Sequence, residues 1–332
     1  IRGGSPFGDR DRQGFSSGLY TNPNAVDQTS REDQLRRLLL FSDHIRIGLA
    51  GNLRDFSFTS AQGRTVTGRQ VLYNGQPTGY TRDPQENIVY TSKHDNETIF
   101  DLIQYKAPLN TSMADRVRMN TLALSLVMFS QGVPFFHAGD DMLRSKSLDR
   151  DSYNSGDWFN AIDWTFETTN WGKGLPIADK NQDMWDVMRP LLGNPDLMPT
   201  PDDMRAAHER FKELLQIRSG SPLFRLRTAE DVQARLAFHN TGADQVPGLI
   251  VMSLSDMEGE DLDPNHTFIV VLFNNAPEAR SFTVEALQGM ALELHSVQAN
   301  GGDDLIKSAS FDPATGTFTV PRISAAVFVV RQ

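Results

Sequence analysis

Cysteine is absent from the 332 residues, which excludes disulfides, thiolate metal sites and a thiol nucleophile. No apolar run approaches the roughly 18 residues of a membrane span. The seven histidines (44, 94, 137, 208, 239, 266 and 295) show neither HxH nor HxxxH spacing, so the usual signature of a catalytic zinc is missing. Positive charge is in deficit: 32 Lys and Arg against 42 Asp and Glu give a net charge of −10. That balance argues against nucleic acid, which selects a basic stripe, and suits a neutral substrate. Internal repeats, coiled-coil heptads and low-complexity tracts are also lacking. What remains, 39% hydrophobic and 22% charged residues, is an ordinary globular composition long enough for about two domains.

Within that chain, Ile88-Val89-Tyr90 leads into Thr91-Ser92-Lys93-His94-Asp95-Asn96-Glu97-Thr98, and Ile99 begins a helical pattern. A strand expected over 87–92 thus delivers His, Asp and Asn side by side at its carboxyl end, where parallel β/α folds place their chemistry. Alternatively, Asp95 and Asn96 merely cap the next helix. Leu35, Leu38, Leu39, Ile45 and Leu49 recur at helical spacing between Arg31 and Leu49. Ser112 opens a second strong helix to about Ser130, and Val133–His137 reads as a short buried strand. This alternation of helix and strand is the grammar of a parallel sheet. Residues 1–30 and 138–200 are long polar segments of the kind that carry function. Thr200-Pro201-Asp202-Asp203 is a helix start with N-cap, N1 proline and first-turn acids.

After Ser221 the pattern changes to short β-rich runs: 248–254, 267–273, 281–284, 292–297, 317–320 and 325–330, separated by Asn/Gly turns. An antiparallel β-sandwich is expected over 221–332, distinct from an α/β unit over 1–220.

Ser92-Lys93-His94-Asp95-Asn96, followed by Gln131-Gly132-Val133-Pro134-Phe135-Phe136-His137-Ala138-Gly139-Asp140, resembles the last two barrel strands of the α-amylase superfamily, and Leu143-Arg144-Ser145-Lys146-Ser147-Leu148-Asp149-Arg150-Asp151-Ser152-Tyr153-Asn154-Ser155-Gly156-Asp157-Trp158-Phe159-Asn160 follows just after them. More narrowly, it looks like the starch-debranching pullulanases and limit dextrinases. His94–Phe100 (HDNETIF) and Leu292–Gln298 (LELHSVQ) are closest in look to the plant-type limit dextrinases. The resemblance implies an α/β fold: the C-terminal part of a (β/α)8 barrel over 1–220, followed by the sandwich. It implies a retaining hydrolase of α-1,6-glucosidic branch points in limit dextrins, amylopectin or pullulan. Asp95 would stabilise the transition state and His94 would bind hydroxyls of the attacked ring. Asn96 would contact substrate or hold the loop, and Arg150 and Asp183 would touch substrate. Asp157 is a weaker substrate contact that, with Trp158 and Asn160, would mainly order the loop. His137 and His44 read as structural.

The family's nucleophile lies in an Arg-x-Asp strand motif and its acid in a Gly-Glu-Gly-Trp type motif. Neither strand motif is found here, so both carboxylates are expected upstream of Ile1, on an N-terminal remainder of the enzyme. The chain alone is then expected to be inactive. Expected partners are α-glucan oligosaccharides and branched dextrins, with no nucleic acid and no membrane. No cofactor is required, though the acidic run Asp256–Asp263 leaves room for a structural calcium. A plant-type chain would reside in the plastid stroma, a bacterial one would be secreted. The competing reading is a non-catalytic α-glucan-binding module that uses the 150–160 loop as a lectin-like surface.

Overall fold

The computed structural model describes residues 1–332. Helix α1 (Pro6–Asp9) is a single turn in the N-terminal segment, and α2 (Arg31–Leu49) follows. Ser30 caps α2 by accepting from Asp33 N, satisfying one of the free amides of its first turn. Two small hairpins come next, β1 (Ser57–Thr59) with β2 (Thr65–Thr67) and β3 (Leu72–Tyr73) with β4 (Gln76–Pro77). Strand β5 (Ile88–Val89) then leads through α3 (Ile99–Lys106) and α4 (Met113–Met128) to β6 (Val133–Pro134).

Strands β5 and β6 pair in parallel, Ile88 opposite Val133 and Val89 opposite Pro134. A parallel pair needs such a helical crossover, because a tight turn cannot reverse the chain twice. Both strands are shorter than the 87–92 and 133–137 expected from sequence. Pro134 brings no amide to the ladder, and beyond Val89 the backbone turns into a loop held by side chains. Ile88 and Tyr90 on one strand, and Val133 and Phe135 on the other, are all exposed. With a two-residue period they share one face, an apolar strip.

The segment 138–200 is not an open loop. It contains α5 (Asp157–Asn160), α6 (Ala178–Asn181) and α7 (Trp185–Leu192). A local core of Leu143, Leu148, Trp171, Met188, Leu191 and Leu197 packs these on Phe100 and Tyr105 of α3. Helix α8 (Pro201–Gly220) begins with the expected capping box between Thr200 and Asp203 and packs along α4.

Residues 221–235 hold a 3₁₀ turn at Pro222–Arg225 and helix α9 (Ala229–Arg235), so the antiparallel region starts later than Ser221. It comprises β7 (Leu236–Phe238), β8 (Leu249–Ser255), β9 (His266–Asn274), β10 (Arg280–Thr283), β11 (Glu293–Leu294), β12 (Ser310–Asp312), β13 (Thr317–Val320) and β14 (Ser324–Arg331). The expected strand over 292–297 shrinks to β11, because His295 caps helix α10 (Ser296–Ala299). Five strands form one sheet in the order β11-β14-β9-β8-β7, and three form another, β10-β13-β12.

Successive residues of β9 alternate between two cores. Phe268, Val270 and Leu272 face the three-stranded sheet, while Ile269, Val271 and Phe273 join the cluster that includes Leu38, Ile103, Leu126, Phe129 and Phe224. The larger sheet is therefore covered on both faces, by helices on one side and by the smaller sheet on the other. That is why β8 and β9 read as unbroken apolar runs. Polar ties reinforce the contact: Arg118 bonds Ser324 and pairs with Asp303, and Arg46 donates to the Asn240 carbonyl and Gln245.

In the acidic run 256–263, Glu258, Glu260 and Asp261 are exposed, while the two inward carboxylates are closed by protein donors. Asp256 pairs with Arg235 and accepts the amides of Leu262 and Asp263, while Asp263 accepts from Ser221 and contacts His266. No cluster of three acidic or histidine side chains is arranged to hold a metal, so this loop gives the calcium expectation no support.

Candidate active site

The loop leaving β5 carries His94, Asp95 and Asn96. The cap of α3 is Thr98, whose hydroxyl accepts Asp101 N at 3.1 Å. Neither Asp95 nor Asn96 caps the helix, so the side chains of His94 and Asp95 are left to face solvent, 84% and 54% exposed. Lys93 pairs with the Asp95 carboxylate, and His94 Nε2 lies 3.5 Å from Asp95 Oδ1. The hydrogen bond from Lys93 holds Asp95 below the usual carboxylate range, so it is ionised at neutral pH. Asn96 sits at φ +62°, a left-handed conformation that asparagine tolerates better than most residues.

Beneath this exposed loop lies a buried polar frame that sequence reasoning did not pick out. Asp101 on α3 is fully buried and accepts the Ser145 hydroxyl and the Lys146 amide. Lys146, only 1% exposed, sends its ammonium to the carbonyls of Asn96 at 2.6 Å and His94 at 3.3 Å. Ser92 donates to Asp140 at 2.6 Å, binding the end of β5 to the turn after β6. The Leu143–Leu148 turn contains three non-glycine residues at positive φ (Leu143, Ser147 and Leu148). Each costs of order 1–3 kcal/mol and persists only where surrounding contacts over-determine it.

The same turn continues to the other candidate residues. Asp149 accepts from Ser155, Asp151 N and Asn181, and Asn181 in turn accepts the Arg150 amide. This ties Arg150 to the segment that carries Asp183. Arg150 is exposed, its guanidinium 4.8 Å from the Phe7 ring centroid. Asp183 and Asp157 are exposed and make no side-chain bond. Asn160 crosslinks its own loop through Ser152 and Gly156. Trp158 and Tyr153 remain exposed, with the Trp158 indole donating to the Lys173 carbonyl. No hydrogen bond or ion pair links the side chains of His94 or Asp95 with those of Arg150, Asp157 or Asp183. The connection runs underneath, through Lys146, Asp149 and Asn181. His137 is half-buried and accepts from Arg144 on Nε2; His44 bonds the Leu72 carbonyl.

Burial pushes the Asp140 carboxyl from 3.8 up to about 7, and that of Asp101 up to about 6. The folded chain therefore holds protons that the unfolded chain has released. Stability from these groups is full below about pH 4 and falls as pH rises toward 7. His137 works oppositely. Burial, with Arg144 beside it, lowers it from 6.5 to about 4, so its contribution is complete above pH 6.5 and is lost on acidification. Asp140→Asn keeps an acceptor for Ser92 and removes the titration. Relative to the parent, the variant is expected to gain stability between pH 4 and 8, by at most about 4 kcal/mol at about 1.4 kcal/mol per pKa unit. Thermal denaturation across that range checks it; parallel pH profiles would refute the assignment.

Residues 166–331 match the family described as alpha-1,6-glucosidases, pullulanase-type, C-terminal. The sequence is 46% identical to Arabidopsis thaliana pullulanase 1, chloroplastic, over 98% of this chain and 34% of that protein. It is 38% identical to Klebsiella pneumoniae pullulanase over 100% of this chain and 30% of that protein. The crystal structure of the maltotriose complex of Klebsiella pneumoniae PulA superposes with a TM-score of 0.92 at 38% identity, covering 100% of this chain and 36% of that one. The chain thus spans about a third of the length of these relatives.

Proposed function

Because this chain belongs to the pullulanase-type α-1,6-glucosidases, we propose that it is the C-terminal part of a starch-debranching hydrolase that cleaves α-1,6-glucosidic branch points with retention. The observation that carries this reading is the exposed His94-Asp95-Asn96 loop at the carboxyl end of a parallel strand pair. In the proposed mechanism, ionised Asp95 faces the sugar ring as it acquires oxocarbenium character and stabilises the developing positive charge. His94 hydrogen-bonds hydroxyls of the same ring, and Asn96 fixes the turn between them and α3. Arg150 and Asp183, joined beneath by Asn181, contact neighbouring glucose units of a branched dextrin or pullulan. Asp157, next to the exposed Trp158, adds a contact at the rim.

Asp95 cannot also attack the anomeric carbon and protonate the leaving oxygen. Those roles take two more carboxyl groups about 5–5.5 Å apart, which the reading assigns to preceding sequence. It assigns the rest of a (β/α)8 barrel there too, with residues 1–220 completing that barrel and 221–332 forming the unit that buttresses it. The unpaired edges of β5 and β6 and their exposed apolar strip suit such completion. The 46% identity to a chloroplastic relative favours the plastid stroma over secretion.

Residues 1–332 expressed alone are expected to release no reducing ends from pullulan, and the full-length polypeptide to release them readily. Robust hydrolysis by the isolated 332 residues would overturn the division of labour.

A further inference from the structure

We propose that Lys146 is a positioning residue for the debranching reaction: its buried ammonium clamps the peptide carbonyls on either side of Asp95 and so sets the direction of that carboxylate. The inference rests on the reading of Asp95 given above.

A buried ammonium is a costly way to fill space, and such charges are ordinarily paired with a carboxylate. Lys146 has no carboxylate within ion-pair distance. Its hydrogen bonds go to two backbone oxygens, those of His94 and Asn96. The residue between them is Asp95, whose exposed side chain meets only its chain neighbours Lys93 and His94, so the Lys146 ammonium is the long-range tie on this stretch of backbone. The clamp also has a fixed base. Asp101 accepts the Lys146 amide at 2.8 Å and the Ser145 hydroxyl, and Asp101 belongs to the first turn of α3, the helix that ends the loop.

The path therefore closes on itself. It runs from Asp95 through Thr98 to Asp101, across to the Lys146 backbone, and back along the Lys146 side chain to the carbonyls flanking Asp95. Left-handed backbone at Asn96 on one side and at Ser147 on the other is held in place by this loop of bonds. A site that must present a carboxylate within a fraction of an ångström needs such support from residues that never touch substrate.

The experiment uses the full-length enzyme and pullulan, with kcat, KM and melting temperature measured for Lys146→Met, Lys146→Arg and Asp101→Asn, and with Asp95→Asn in parallel. Lys146→Met keeps the volume and removes the donors. It is expected to lower kcat by at least ten-fold while KM stays within about two-fold. Lys146→Arg restores donors and is expected to recover part of kcat, whatever its melting temperature. Should Lys146→Met fail to fold, Asp101→Asn carries the test, with an expected fall in kcat of three-fold or more at unchanged KM. A folded Lys146→Met with kcat within three-fold of the parent overturns the clamp. So does a loss of activity that tracks melting temperature alone in all three variants. If Asp95→Asn is inactive while Lys146→Met turns over normally, only the positioning role fails. If Asp95→Asn itself turns over normally, the reading of Asp95 fails first.

Discussion

Asp95→Asn, introduced into the full-length enzyme, is expected to lower kcat on pullulan by at least 100-fold and to leave KM within a few-fold of the parent. The substitution preserves shape and one acceptor but removes the negative charge that Lys93 helps to maintain. An interaction that strengthens only as positive charge develops on the sugar appears in kcat, not in ground-state binding. Electrostatic groups of this kind typically contribute about 10²–10³-fold each. Arg150→Ala forms the contrast. Its guanidinium lies over Phe7 at the far end of the Asp149–Asn181 network, so its loss is expected to raise KM several-fold with little change in kcat. Steady-state kinetics on pullulan separate the two. Near-normal turnover in Asp95→Asn would remove this residue from the chemistry.

Phe129→Ala is expected to destabilise the chain by about 3–5 kcal/mol and to do so for both halves at once. Phe129 closes the end of α4. Its ring centroid lies 5.1 Å from that of Phe224 in the 3₁₀ turn after α8, and 6.3 Å from that of Phe273 in β9. All three rings are fully buried. The cavity would therefore open where the helical layer, the connecting turn and the five-stranded sheet meet. A core shared in this way should melt in one cooperative transition, and the variant should shift that transition without splitting it. Calorimetry showing two transitions, with only the earlier one moved, would mean that the sheet region is stabilised independently.

Much of this architecture was legible locally. The caps at Ser30, Thr98, Ser112 and Thr200 are short-range devices: a side-chain oxygen meets an amide three residues later. The helices they open therefore begin within about a residue of where the sequence pointed. Strand β13 spans the expected 317–320 to the residue. The lengths of β5 and β6 were not, because a strand's extent depends on partners along both edges, and sequence periodicity carries no record of which edges are filled. Strands β8 and β9 contained a clue in their unbroken apolar runs. Read only as sandwich strands, they concealed a sheet covered on both faces.

The candidate site divides along the same line. His94, Asp95 and Asn96 stand together because they are adjacent in the chain, and the sequence alone determined that much; which residues of the same transition turn inward, as Ser92, Glu97 and Thr98 do, it did not. That Lys146 would reach back 50 residues to the carbonyls of His94 and Asn96, that Asp140 would meet Ser92, and that Asn181 would join Arg150 to the segment bearing Asp183, only the tertiary structure decided. Those contacts are made by buried polar groups whose partners are chosen by proximity in space. In a low-dielectric interior an unpaired charge or amide is expensive, so these groups take the donors and acceptors that the packing around α3 and the 143–197 segment brings within reach, with one Asp140 oxygen left over.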